Sequence, residues 1–245
     1  MLIRANTVLP ADRQPLTLQT SDGLRLVGEL ATPEAPVGTI VCLHPLPTHG
    51  GMMDSHVFRK AAWRLPALAN LAVLRFNTRG TESAAGRSEG HFDHGMSEQL
   101  DVDAAIEEVK RRNLPNPWVV GWSFGTDMAI KYARDPIVRG LILLSPPLRY
   151  SNSEDVHWWA ADQRPIAALV PEFDDYLQPP QAKDAFAVAP NVDVIAIEGG
   201  RHLWVGEPLV YRALTEIVSR INPSALPLAT EWDGPYETFN DLSPA

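Results

Sequence analysis

Short, mostly apolar runs, of which Thr39 to Leu43 is continuous, recur along this chain with helical segments between them, and that alternation restricts the fold more than any other feature. Thr39 to Leu43, Ala72 to Phe76, Trp118 to Gly121, Val138 to Ser145, Ile166 to Val170 and Val192 to Ile197 read as strands. A strand with one wet face alternates apolar with polar, whereas an unbroken apolar run is buried on both faces, as in a parallel sheet. Helical stretches separate the runs: Asp54 to Arg64, Ser97 to Arg112, Phe124 to Arg134, Gln181 to Ala187 and Pro208 to Ile221. In the second of these, Leu100, Ala104, Ala105 and Val109 fall at helical spacing and Lys110 to Arg112 occupy the last turn. Pro66 should end or kink the first. Ahead of them, Pro15 to Thr20 and Leu24 to Ala31 flank Ser21-Asp22-Gly23, a hairpin pattern. The expected fold is α/β: a mostly parallel sheet with an N-terminal antiparallel hairpin and helices on both faces.

Residues 1–222 read as one domain. Residues 223–245 read as an extended, acidic tail containing Pro223, Pro227, Pro235 and Pro244. That tail is either disordered or pinned by Trp232, Tyr236 and Phe239. The chain has 22 prolines in 245 residues, well above a background of about 5%. Most of the others fall at element boundaries, so they mark defined turns.

Acidic residues outnumber basic ones, 30 to 21, and no dense basic run offers a face for a phosphate backbone. Nucleic acid is therefore not the expected partner. No stretch approaches the ~18–20 apolar residues of a membrane span, and the opening residues lack the apolar core of a secretion signal. A cytoplasmic protein is expected, without a membrane association. Cys42 stands alone, which excludes an intramolecular disulfide and any multi-cysteine metal site.

In open α/β sheets chemistry gathers beyond the carboxyl ends of the strands. There, between the strand ending at Gly121 and the helix starting at Phe124, stands Gly121-Trp122-Ser123-Phe124-Gly125. This is G-x-S-x-G in the strand–turn–helix setting that presents a serine hydroxyl on a sharp turn. With the order of elements, it resembles the α/β-hydrolase superfamily over about residues 15–222. Leu43 to Phe92 is similar to the small, lidless bacterial hydrolases near the dienelactone hydrolases. That segment carries His44-Pro45-Leu46-Pro47, Gly50-Gly51-Met52, Leu74-Arg75-Phe76-Asn77, Arg79-Gly80 and Glu89-Gly90-His91-Phe92. Dienelactone hydrolases use cysteine where this chain has Ser123, so the resemblance does not carry their substrate over.

The resemblance implies a chain order of nucleophile, acid, histidine. Of seven histidines, only His202 follows the last predicted strand, which makes it the expected base. The loop after Val170 holds three carboxylates, Glu172, Asp174 and Asp175. The superfamily pattern, an acid four residues past the strand and then an aromatic and a proline, fits Asp174 best. Pro171 departs from the glycine common at that place. The expected oxyanion donors are the backbone N–H groups of Phe124 and Leu46. Pro45 and Pro47 have no N–H, so Leu46 is the only donor between them.

Trp122, His49, Trp158 and Trp159 are the candidate substrate-pocket residues. His49 lies either at the site mouth or on a solvated loop. The Trp158-Trp159 pair either packs a short helix on the body or walls an acyl pocket. The gap from Pro146 to Pro165 holds 20 residues, too few for a large lid. His44 reads as a loop-shaping residue and Arg79 as an internal ion-pair partner. Gly50-Gly51 matches no nucleotide-binding spacing, and His91-Phe92-Asp93-His94 has no further ligand near it, so neither a cofactor nor a metal is expected. The implied function is a serine hydrolase acting on a small-molecule acyl substrate, a small or medium carboxylic ester or a related acyl compound, since thioesters, amides and C–C bonds are cleaved by the same apparatus. The alternatives are an acyltransferase using the same triad and a non-catalytic binding protein of the same fold.

Overall fold

The computed structural model describes residues 1–239. Its main sheet has eight strands: β1 (Asp12–Gln19), β2 (Arg25–Thr32), β3 (Gly38–Leu43), β4 (Leu71–Phe76), β5 (Pro117–Trp122), β6 (Leu141–Leu144), β7 (Ile166–Pro171) and β8 (Val192–Ile197). Their spatial order is β8-β7-β6-β5-β3-β4-β2-β1. β1 and β2 form the antiparallel hairpin, β2 pairs antiparallel with β4, and the remaining pairs are parallel. Six helices accompany the sheet: α1 (His56–Ala69), α2 (Glu98–Arg111), α3 (Phe124–Tyr132), α4 (Ser153–Asp162), α5 (Pro179–Ala185) and α6 (Glu207–Ile221).

The apolar character of the strands is explained by what lies on each face. In β3, Val41 and Leu43 enter the layer beneath α2–α5, while Ile40 and Cys42 enter the layer beneath α1 and α6. β4 divides the same way, with Leu74 and Phe76 on one side and Leu71 and Val73 on the other. Successive side chains point to opposite faces, so a sheet covered twice favours apolar residues at nearly every position; the exception in β4, Arg75, is buried and paired with Glu29 and Asp54. β8 is an edge strand pairing only with β7, and its pattern is correspondingly half exposed.

Of the two outcomes expected at Pro66, α1 does not end there: the helix runs through it to Ala69. A proline inside a helix removes one N–H and leaves the carbonyl four residues earlier without its partner. That carbonyl belongs to Ala62, and the Arg13 guanidinium donates to it at 3.1 Å. The next carbonyl, Trp63, accepts the N–H of Leu9 at 2.9 Å. The cost of the proline is thus offset from the N-terminal segment.

Residues 223–239 lie against the body. Thr7–Val8 pairs antiparallel with Glu237–Thr238, and Leu2 bridges Glu231. Of the three aromatic residues expected to pin this segment, Phe239 packs on Trp63 at 5.0 Å, under the Arg59 guanidinium. Trp232 donates within the segment to the Pro235 carbonyl, and Tyr236 is half exposed. The remainder of the expected tail, including Pro244, lies outside the described residues.

Between β6 and β7 stands α4 alone. Its start is fixed by a capping box: Asn152 accepts the N–H groups of Glu154 and Asp155, and Asp155 accepts that of Asn152.

Candidate active site

Ser123, Asp174, His202 and Leu46 each lie beyond the carboxyl end of a strand: β5, β7, β8 and β3. β3 lies between β4 and β5, so the strand order reverses there and leaves a crevice at that edge.

The turn after β5 is tight enough to dictate its glycines. A Cβ on Gly125 would lie 1.9 Å from the Leu43 carbonyl oxygen, and one on Gly121 would lie 2.4 Å from the Gly125 oxygen. Ser123 between them has φ 52° and ψ −120°, a conformation L-residues rarely adopt. Its N–H donates to the Leu144 carbonyl at 2.9 Å, so the next strand holds the turn in place.

Ser123 Oγ lies 2.8 Å from His202 Nε2. On the other side of the ring, Nδ1 lies 2.9 Å from Asp174 Oδ2 and 3.1 Å from Oδ1. Asp174 and His202 are both buried. Burial works against ionisation of Asp174. The hydrogen bond from His202 and the N–H groups of Tyr176 and Leu177 outweigh it, holding the carboxyl below its ordinary range. The other carboxylates of the loop go elsewhere. Glu172 accepts the Gly199 N–H at 2.8 Å, and Asp175 is exposed on the cavity wall.

The loop after β3 is organised by His44. Its Nε2 accepts the Thr78 N–H at 3.0 Å, which leaves Nδ1 as the protonated nitrogen, donating to the Pro45 carbonyl at 2.7 Å. Burial pushes the His44 pKa down to about 4, so the ring is neutral. The Leu46 carbonyl accepts the N–H groups of His49 and Gly51. Among the described residues, the N–H groups of Leu46 and Phe124 have no hydrogen-bond partner. Both residues line the cavity that contains Ser123 and His202.

That cavity measures about 570 Å³ and is open on one side. Phe92, Tyr150 and Tyr176 supply apolar wall, and His49, His94 and Arg149 add polar groups. His49 is therefore at the site. The three candidate tryptophans are not among the lining residues. Trp159 is fully buried and donates to the Ile130 carbonyl at 2.8 Å. Trp158 lies between the guanidinium groups of Arg134 and Arg164. α4 thus packs on the body, and its tryptophans are structural. Trp122 is buried on the α1/α6 side, where its indole N–H donates to the His202 carbonyl.

Sequence reasoning missed Tyr176, whose ring covers His202 at 4.6 Å, and Arg149, which leans over Tyr176. Both lie in loops, where apolar periodicity gives no signal. In the polar loop before α2, Glu98 accepts the N–H groups of Asp93 and Gly95, and only His94 of its two histidines lines the cavity. Arg79 grips the buried Asp101 through Nε and Nη2 and also reaches Asp22.

The sequence pattern described as the alpha/beta hydrolase family matches residues 40–232. The chain belongs to the alpha/beta hydrolase family. An uncharacterized protein of Rickettsia prowazekii, RP471, is 28% identical over 183 residues, covering 71% of this chain and 74% of the relative. Among solved structures, XC6422 of Xanthomonas campestris, a serine hydrolase without a lid, superposes with a TM-score of 0.69 at 25% identity. The match covers 87% of this chain and 96% of that one. The Pyrococcus furiosus esterase Pf2001 shares the fold, with a TM-score of 0.69 at 17% identity, covering 86% of this chain and 91% of its own. As a member of this family the protein is a hydrolase, and its lidless architecture matches that of the Xanthomonas structure. No helix among the described residues is long and apolar enough to cross a membrane.

Proposed function

We propose that this alpha/beta hydrolase cleaves small or medium carboxylic esters through an acyl-enzyme on Ser123. The observation that carries the reading is the unbroken hydrogen-bond chain from Ser123 Oγ through His202 to Asp174. A serine hydroxyl is a weak nucleophile until a base takes its proton. His202 Nε2 accepts that proton as Oγ bonds to the substrate carbonyl carbon. Asp174, held ionised, keeps Nδ1 protonated and stabilises the imidazolium. The oxyanion then accepts the N–H groups of Phe124 and Leu46, which have no other hydrogen-bond partner among the described residues. Collapse breaks the bond to the alcohol, which leaves with the proton from His202. Water, activated by the same imidazole, releases the acid and restores Ser123.

A cavity of about 570 Å³ lies within the roughly 300–1,000 Å³ of small-molecule sites and suits an acyl and alcohol portion of modest size. The test is hydrolysis of a panel of p-nitrophenyl esters by wild type, Ser123→Ala and His202→Ala. A pre-steady-state burst equal to the enzyme concentration is expected from wild type and none from either variant. Equal steady-state rates in all three proteins would overturn the proposal.

A further inference from the structure

His202 is held from behind as well as in front. Its ring meets Ser123 and Asp174, while two side chains donate to its backbone carbonyl. Trp122 Nε1–H does so at 3.1 Å and Ser145 Oγ–H at 3.2 Å. Ser145 Oγ in turn accepts Trp204 Nε1–H at 2.9 Å. Trp122, Ser145 and Trp204 are all buried, at 2%, 1% and 0% exposure. Ser145 and Trp204 both have φ 53°, a left-handed conformation that is uncommon for such residues. His56 completes the network, donating from Nε2 to the Trp204 carbonyl at 3.1 Å and meeting the Trp122 ring edge-on at 5.2 Å.

We propose that Trp122 and Ser145 are positioning residues that set the distance between base and nucleophile. The inference rests on the triad reading above and concerns how the triad is kept in register. The loop carrying His202 has two sets of ties. Gly199 N–H donates to Glu172, and the Gly200 carbonyl accepts Phe173 N–H. Those bonds join it to the loop after β7, and so align the histidine with its acid. They do nothing to align it with Ser123, which lies on the turn after β5. The Trp122 and Ser145 bonds supply that alignment. Trp122 immediately precedes Ser123, so the indole bond behind and the Oγ···Nε2 contact in front close a ring through both residues. The variable residue of this G-x-S-x-G motif is therefore a tie to the base.

Because the two sets of ties are separate, removing one donor should loosen the serine–histidine contact and spare the histidine–aspartate contact. Trp122→Phe keeps a ring against His56 and deletes the N–H. It is expected to lower kcat and the fluorophosphonate labelling rate together by about tenfold, leaving KM within about twofold, since small misplacements act on the reacting geometry. Ser145→Ala is expected to act in the same direction by at least about threefold. Thermal melting establishes that each variant is folded, and if Trp122→Phe does not fold, Ser145→Ala decides. A folded variant with kcat and labelling rate close to wild type, or with KM raised and kcat held, overturns the proposal.

Nitrogen spectra of 15N-histidine-labelled protein separate this claim from the hydrolase reading. Trp122→Phe should move the His202 Nε2 resonance and leave the Nδ1–H signal in place. That outcome with a wild-type serine that does not label would support the positioning role while the hydrolase reading fails. An unmoved Nε2 resonance would sink the positioning role alone.

Discussion

Asp174 and Asp175 are neighbours of the same chemistry, and only the first reaches His202. Replacing Asp174 with Asn would keep the shape and reverse the tautomer preference of the imidazole. A fall in kcat on the order of 10⁴-fold is expected, whereas Asp175→Asn should remain within about tenfold of wild type. Loss of activity confined to the Asp175 variant would contradict the assignment. His44 offers a second prediction at this scale. Its folded pKa of about 4 lies below an ordinary value of about 6.5, so the folded state binds this proton less readily than the unfolded chain. The stability associated with neutral His44 is complete above about pH 6.5 and is lost as pH falls toward about 4, amounting to about 3 kcal/mol. Urea midpoints measured across that window should fall for wild type relative to His44→Gln. His44→Gln should start lower and fall less steeply. Parallel curves would show that His44 does not contribute.

Elements are where the sequence was most and least readable. β3, β4, β5 and β7 were legible as apolar runs because both sheet faces are buried there. The elbow was legible because its two glycines answer a steric demand. A Cβ at Gly125 meets backbone, which cannot move aside as a side chain could. Gly125→Ala is therefore expected to cost several kcal/mol or abolish soluble expression, in the manner of severe overpacking, as denaturant melts would show. A Gly125→Ala protein as stable as wild type would mean that β5 and α3 are less closely apposed. That α1 continues past Pro66 is not legible locally, because the group that satisfies the freed carbonyl, Arg13, lies 49 residues away. The role of α4 is not legible in the sequence, because a Trp-Trp pair looks the same whether it faces a cavity or a core. Its capping box allows a simple check: Asn152→Ala should lower stability by about 1 kcal/mol with little change in kcat, since α4 does not line the cavity. A large activity loss would place α4 at the site after all.

At the scale of the whole fold, the sheet brings four loops from separate strands to one edge, and among the described residues no helix covers the cavity between them. No hinge needs to open before substrate enters, because only α4 occupies the stretch between β6 and β7. Reaction rate should therefore follow a smooth saturation curve as ester concentration passes its solubility limit. An abrupt rise at that point would indicate a covering element that moves.

Whether Ser123 is an activated nucleophile can be read from intact-protein mass spectrometry after fluorophosphonate treatment. One adduct per chain is expected, mapped to the peptide containing Ser123, absent in Ser123→Ala and strongly slowed in His202→Ala. No adduct under conditions that label a control serine hydrolase, or an adduct that persists in Ser123→Ala, would contradict that role.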